Sequence, residues 1–466
     1  MSHEKHASAS RRAFLKRTSA LSVAGLAAPW ALNLAAMAEA AAAGAADYKA
    51  LVCVFLYGGN DYANTVVPYD LASHAAYQQM RPGFAYDRPS LAATVLNPLA
   101  TPLDSAGQAR QYALAPELAP LLPLFDAGNM AVLLNIGTLI QPTSKQQYLN
   151  RSVKLPPKLF SHNDQQSVWQ SSLPEGASSG WGGRMGDLFE SGNGSATFTC
   201  INVSGNAVFM SGRSAVQYQV SPSGSVPLGA LKAPLFGSSA ASDALAALVS
   251  QPRTHVLENE YSRVTRRSID ANNVLTAALA KAPAIATPFA SGNSLAGQLN
   301  MVARTMSAAP ALGAKRQVFF VSMGGFDTHD NLQGTHPGLL TGVASALASF
   351  QSSLRELNLA EQVTTFTASD FGRTMAGNSD GSDHGWGSMH FVLGGAVKGR
   401  RLVGTAPVVA NNGPDDVGQG RLLPTTSVDQ LAATLGKWMG ISDGELVAML
   451  PALSNFDAGK RDLGFL

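Results

Sequence analysis

Carboxylates and imidazoles recur at one kind of place in this chain, a few residues beyond the end of an apolar run. Asp61 follows Leu51–Leu56 through Gly58-Gly59-Asn60. Asp327 and His329 follow Val318–Val321 through Gly324-Gly325-Phe326, and Asp370 follows Val363–Ala368. A Gly-rich stretch, Gly381-Ser382-Asp383-His384-Gly385-Trp386-Gly387-Ser388-Met389-His390, then leads into a further apolar run. Of the nine histidines, His162, His329, His384 and His390 fall near these points. Mixed Asp and His ligands are what zinc, manganese and related ions take. The expected ligands are Asp61, Asp327, His329, Asp370, His384 and His390, holding one or two divalent ions. Such ions polarise a phosphoryl or sulfuryl oxygen and stabilise the entering and leaving groups.

Two further residues are candidates for the chemistry. Ser161, in Phe160-Ser161-His162-Asn163-Asp164, stands at the opening of a helix. A hydroxyl beside a dication and a helix N-terminus is a candidate nucleophile, but Ser is also a favoured N-cap. Arg373 follows Asp370 and is suited either to an anionic substrate oxygen or to a local carboxylate.

The apolar runs Leu51–Leu56, Met130–Ile136, Val318–Val321 and Val363–Ala368 lack the alternation of a half-exposed strand. They predict strands buried on both faces, as in a parallel sheet covered by helices. Helical spacing appears at Leu295, Leu299, Val302 and Met306, at Leu339, Val343, Leu347, Phe350 and Leu354 just beyond Pro337, and at Val428, Leu431, Leu435 and Trp438 behind a Ser427-x-x-Gln430 capping box. Strands alternating with helices predict an α/β fold with a mostly parallel central sheet. Ligands of such sheets bind beyond the carboxyl ends of the strands, which gathers Asp61, Asp327, His329 and Asp370 on one rim. Residues 191–309 are rich in Gly, Ser and Pro and are expected to form a partly helical, irregular cap inserted in the main domain, which spans 47–466.

This arrangement resembles the alkaline phosphatase and sulfatase superfamily. More closely, the chain resembles a bacterial twin-arginine-exported family whose domain is of unknown function. That second likeness rests on Gly58-Gly59-Asn60-Asp61, Gly325-Phe326-Asp327-Thr328-His329-Asp330-Asn331, Thr364 through Thr374, and Asp383-His384-Gly385 through Gly394-Gly395. The superfamily resemblance implies that Asp61 is the first metal-binding Asp and that Asp327 and His329 serve one metal site. It implies that Asp370 belongs to an Asp-His pair and that His390 is the final His. Two positions depart from that pattern. Asn331 stands where a second imidazole is usual, with His336 a possible substitute, and Phe371 replaces the His of the pair, for which His384 is available.

The first forty residues have the layout of an export signal. Ser10-Arg11-Arg12-Ala13-Phe14-Leu15-Lys16 fits the twin-arginine pattern, and an Ala-rich run to about Ala36 precedes small-x-small sites at Ala36-Met37-Ala38 and Ala38-Glu39-Ala40. Gly25, Pro29 and Asn33 interrupt that run, which makes it a poor bilayer span. Residues 1–40 are therefore expected to be a removable signal that engages the twin-arginine translocon and delivers the protein to the periplasm or beyond. The precursor carries a formal charge of +2. Without residues 1–40, which hold five Lys/Arg and two Asp/Glu, 28 basic and 29 acidic residues remain, a net charge of −1. No basic stripe is present, which argues against nucleic acid as a partner. Cys53 lies in an apolar run, where a free buried thiol is more usual than a bridge to Cys200. The leading expectation is a secreted metal-dependent hydrolase of a small anionic phosphate or sulfate ester. The competing ones are a non-catalytic, metal-stabilised binding protein and an envelope-assembly protein.

Overall fold

A computed structural model describes residues 48–466, so the expected export signal, residues 1–40, lies outside the described residues. Ten strands form one sheet. In chain order they are β1 (Lys49–Leu56), β2 (Met130–Gly137), β3 (Cys200–Asn202), β4 (Tyr218–Ser221), β5 (Gly224–Ser225), β6 (Arg316–Met323), β7 (Val363–Ser369), β8 (Ser388–Leu393), β9 (Arg401–Val403) and β10 (Thr426–Ser427). Their order across the sheet is β9-β2-β8-β7-β1-β6-β3-β4-β5, and β10 pairs with β2. Most pairs are parallel. The exceptions are β8, antiparallel to β2 and β7, and the β4–β5 hairpin.

The four apolar runs are β1, β2, β6 and β7, and the reason lies in burial. In β1 every residue after Lys49 is buried, and β2 and β7 are buried throughout. One face carries Leu51, Cys53, Phe55, Val318, Phe320, Phe366 and Ala368. These pack with Trp181 and Met185 of the helix α3 (Trp181–Phe189) and with Leu431 and Leu435 of α8 (Val428–Met439). Burying each such Leu or Phe stabilises the fold by about 1.5–3 kcal/mol. Ser427 and Gln430 form the expected capping box on α8. Cys53 and Cys200 are both buried free thiols.

Longer helices complete the layers: α1 (Leu71–Met80), α2 (His162–Ser171), α4 (Ser239–Ser250), α5 (Val256–Lys281) and α6 (Ser294–Ser307), with α7 (Leu332–Glu356) packed along α6. Helix α7 begins five residues before Pro337, which the helix accommodates in its second turn. The segment 191–309 does more than cover the domain. It supplies β3, β4 and β5 to the sheet, with β3 paired to β6, while α4 and α5 pack on each other. Among the described residues no helix is long and apolar enough to cross a membrane.

The register places the strand ends together. Leu56, the last residue of β1, pairs with Met323 of β6 and with Ser369 of β7. The loops carrying Asp61, Asp327 and Asp370 therefore leave the sheet side by side. A short ribbon, Arg373–Gly377 against Ser382–His384, lies between β7 and β8 in sequence. It is tied to the β1 loop by a buried ion pair. Arg81 Nη1 lies 2.9 Å from Asp61 Oδ2, and neither side chain is exposed. Arg81 also donates to the carbonyls of Thr374 and Met375, and Ser382 Oγ donates to Asp61 Oδ2. Burial would raise the Asp61 carboxyl, but the Arg81 charge, His336 and the hydrogen bonds outweigh it and hold it below its ordinary value.

Truncating one partner strands the other charge in the interior. Asp61→Ala is expected to destabilise the protein by about 3–5 kcal/mol in urea unfolding. A loss below about 1 kcal/mol would show that the pair is not what joins the ribbon to the sheet.

Candidate metal centre

Asp327 stands at the middle of the site. Arg373 donates to its Oδ1 at 2.9 Å, to the Gly58 carbonyl at 2.7 Å and twice to the Ser382 carbonyl. The guanidinium is fully buried. Burial would lift the Asp327 carboxyl; the Arg373 hydrogen bond and charge, with His162 and His329, hold it below the usual range. The approach of the β1 loop requires glycine. Gly58 has φ +118°, and a Cβ there would lie 2.3 Å from the Asp327 nitrogen.

Three imidazoles face this carboxylate. His162, the first residue of α2, places Nε2 3.4 Å from Asp327 Oδ2. His384 Nε2 lies 3.4 Å and His329 Nε2 3.2 Å from Asp327 Oδ1. Each ring is held from behind through Nδ1. That of His162 meets Asp370 Oδ2 at 2.6 Å, that of His384 the Phe160 carbonyl at 2.7 Å, and that of His329 Asp383 Oδ1 at 3.2 Å. An acceptor behind each Nδ1 favours the proton there, the arrangement that leaves Nε2 available to an ion. The Asp370 bond holds His162 above its ordinary pKa against the effect of burial, while burial pushes His384 below its own.

Ligand atoms of His162, Asp327 and His384 lie within 4.8 Å of one another, and His329 Nε2 adjoins the group at 2.8 Å from His384 Nε2 and 3.2 Å from Asp327 Oδ1. Neighbouring ligands on one tetrahedral zinc sit about 3.3 Å apart, given bonds near 2.0–2.1 Å. The 3.4 Å separations of His162 Nε2 and His384 Nε2 from the Asp327 carboxylate are of that size. The His162 Nε2 atom is buried without a hydrogen-bond partner, and so is Asp370 Oδ1. His384 Nε2 and His329 Nε2 approach to 2.8 Å, and two lone pairs at that distance repel unless a proton or cation lies between them. An ion is the partner that this donor set fits, and imidazoles oriented through Nδ1 are typical of metal sites.

The remaining predicted residues lie elsewhere. Asp61 is spent on Arg81, Ser382 and the Asn64 amide. Asp370 reaches the site through His162: its Oδ2 accepts from His162, Gln166 and the Gly58 amide. His390 lies inside β8, buried, with its ring edge-on to Trp169. His336 is buried against Asn60. Ser161 occupies the N-cap position of α2 but makes no capping bond, and its hydroxyl donates to Asp164 Oδ2 at 3.0 Å. Arg373 serves a local carboxylate. Sequence reasoning passed over His162 as a ligand, although it adjoins Ser161, and passed over Asp383, although it precedes His384. Phe371, standing at the position of the expected His, packs its ring 4.8 Å from His162 and 4.7 Å from His384.

A family model described as "Protein of unknown function (DUF1501)" matches residues 48–453, so the chain belongs to that family. No curated protein matches it. Three solved structures are similar at low identity. Ps i-CgsB in complex with k-i-k-neocarrahexaose is 11% identical at a TM-score of 0.32, over 88% of this chain and 77% of that one. A structure described under the metabolism of multiple glycosaminoglycans by Bacteroides thetaiotaomicron is 11% identical at 0.32, over 85% and 74%. A 2-O GAG sulfatase is 10% identical at 0.28, over 87% and 74%. Likenesses of that distance say nothing about this chain's chemistry.

The two buried histidines outside the cluster give a pH signature. Burial pushes His336 down to about 4 and His390 down to about 3. Both are neutral at pH 7 when folded and take up protons near pH 6.5 when unfolded. Their neutral forms therefore cost nothing above pH 6.5, and stability is lost as pH falls from there through the folded values, by about 1.4 kcal/mol per unit per group. Urea unfolding at pH 6.5 and pH 5 should show this loss, and His390→Gln should lessen it by about 2 kcal/mol. An equal loss in the variant would contradict the assignment.

Proposed function

We propose that this protein is a metal-dependent hydrolase of phosphate or sulfate esters, acting outside the cytoplasm with one divalent ion held by His162, Asp327 and His384. The observation that carries the reading is the shared orientation of the imidazoles, each held through Nδ1 and each turning Nε2 toward Asp327. Imidazole nitrogens with one carboxylate suit zinc better than magnesium or calcium. The reading narrows the expectation of one or two ions to one, because Asp61 and His390 are engaged elsewhere. The Arg11-Arg12 segment supports export.

A bound ion of this kind supplies Lewis acidity and makes hydroxide available near neutral pH. The residues do the rest. Arg373 holds Asp327, and Asp370 sets the His162 tautomer. His329 is 44% exposed and lies on the open side. Its Nδ1 faces Asp383, which fixes the orientation of the ring. His329 Nε2 is the position from which a proton passes to the leaving-group oxygen. Ser161, engaged with Asp164, is not needed as the nucleophile.

Metal content and turnover of aryl sulfates and aryl phosphate mono- and diesters test this. Wild type should carry about one ion per chain, and Asp327→Ala or His384→Ala should lose it. His329→Ala should keep the ion and lose roughly 100-fold or more in kcat. Asp370→Asn should weaken metal affinity by about 10–100-fold. Wild type free of metal would sink the proposal, and full turnover in His329→Ala would remove its assigned role. Bound metal without any ester turnover would favour a binding protein.

A further inference from the structure

Arg421 touches the site from outside the ligand set. Its Nε donates to the His384 carbonyl at 2.9 Å, and its guanidinium carbon lies 4.5 Å from the centroid of the Phe160 ring. Those contacts orient the planar group, while Nη1 and Nη2 have no hydrogen-bond partner among the described residues. The side chain is only partly buried.

Phe160 is an unusual support. Its φ is +73°, a region that bulky residues avoid. Such a conformation persists only where the surroundings impose it. Here the Phe160 carbonyl orients His384 through Nδ1 while the ring carries Arg421. The ring also packs against the small cluster of Leu139, Trp386, Val417 and Leu423. One residue thus couples the position of a metal-facing imidazole to that of a free guanidinium.

Charge then indicates what the guanidinium meets. Asp327, Asp370 and Asp383 bring three negative charges to the centre, and Arg373 with a divalent ion offsets them. Arg421 adds a positive charge at the edge of this centre. A planar fork with unpaired donors is suited to two oxygens of a tetrahedral oxyanion. We propose that Arg421, seated on Phe160, is the residue that recognises the anionic group of the substrate, a tetrahedral sulfate or phosphate ester. This rests on the rim being a metal centre.

The test compares wild type with Arg421→Met and Arg421→Lys on an aryl sulfate, a bis-aryl phosphate, an aryl phosphate and the uncharged aryl acetate. Arg421→Met should lower kcat/KM for the charged esters at least 30-fold more than for the acetate, mainly through KM, with metal content unchanged. Arg421→Lys should recover part of the loss, because it restores the charge without the fork. Calorimetric titration of the metal-loaded protein with inorganic sulfate gives a second readout that needs no turnover. Wild type should bind sulfate, and Arg421→Met should bind it at least tenfold more weakly. Sulfate binding without hydrolysis would refute the hydrolase and leave the recognition site standing. No sulfate binding by wild type, or equal loss on charged and uncharged esters, would overturn the inference.

Discussion

A guanidinium without access to water governs this site. Arg373 is fully buried, and a buried cation is tolerated only where its donors are matched. Its partners are the Asp327 carboxylate and the carbonyls of Gly58 and Ser382. Ser382 in turn donates to Asp61, which pairs with the equally buried Arg81. A continuous polar chain therefore runs from α1's end through the β1 loop and the ribbon to Asp327. Moving any member leaves a charge or carbonyl unpaired in a medium of low dielectric, so Asp327 has little freedom.

The imidazoles are restrained in the same manner, each by an acceptor behind it. The acceptors come from different places: Asp370 from the end of β7, Phe160 from the turn before α2, and Asp383 from the ribbon. The apolar sheet holds these three places in fixed relation, since β1, β6 and β7 leave the core in register. Phe371 packs against both His162 and His384, whose own rings meet edge-on at 4.3 Å, and its ring covers that side of the pair. Packing supplies the frame, buried polar pairs set the direction of each group, and the outcome is a cluster of imidazole nitrogens facing one carboxylate.

Much of the frame was legible in the sequence. Continuous apolar runs such as Leu51–Leu56 allow little but a two-sided buried strand, and the Gly-rich turns after them mark one rim. Asp61, Asp327, His329 and Asp370 were all placed on that rim by this logic, with His384 on the Gly-rich loop near it. What periodicity does not carry is the path of the irregular segments. Residues 138–161 and the ribbon Arg373–His384 have no repeating pattern, yet they decide that His162 turns inward and that Asp61 meets Arg81 instead. His390 misled because its position within β8, with its ring against Trp169, depends on strand register rather than on its neighbours in sequence. Ser161 drew attention through its type, while the residue beside it held the geometry.

X-ray absorption at the edge of any metal that co-purifies with the protein tests the central claim most directly. The account predicts a first shell containing imidazole nitrogens together with carboxylate oxygen, and a drop of one imidazole in His162→Ala. A shell of oxygens alone, or a spectrum unchanged by that substitution, would contradict it.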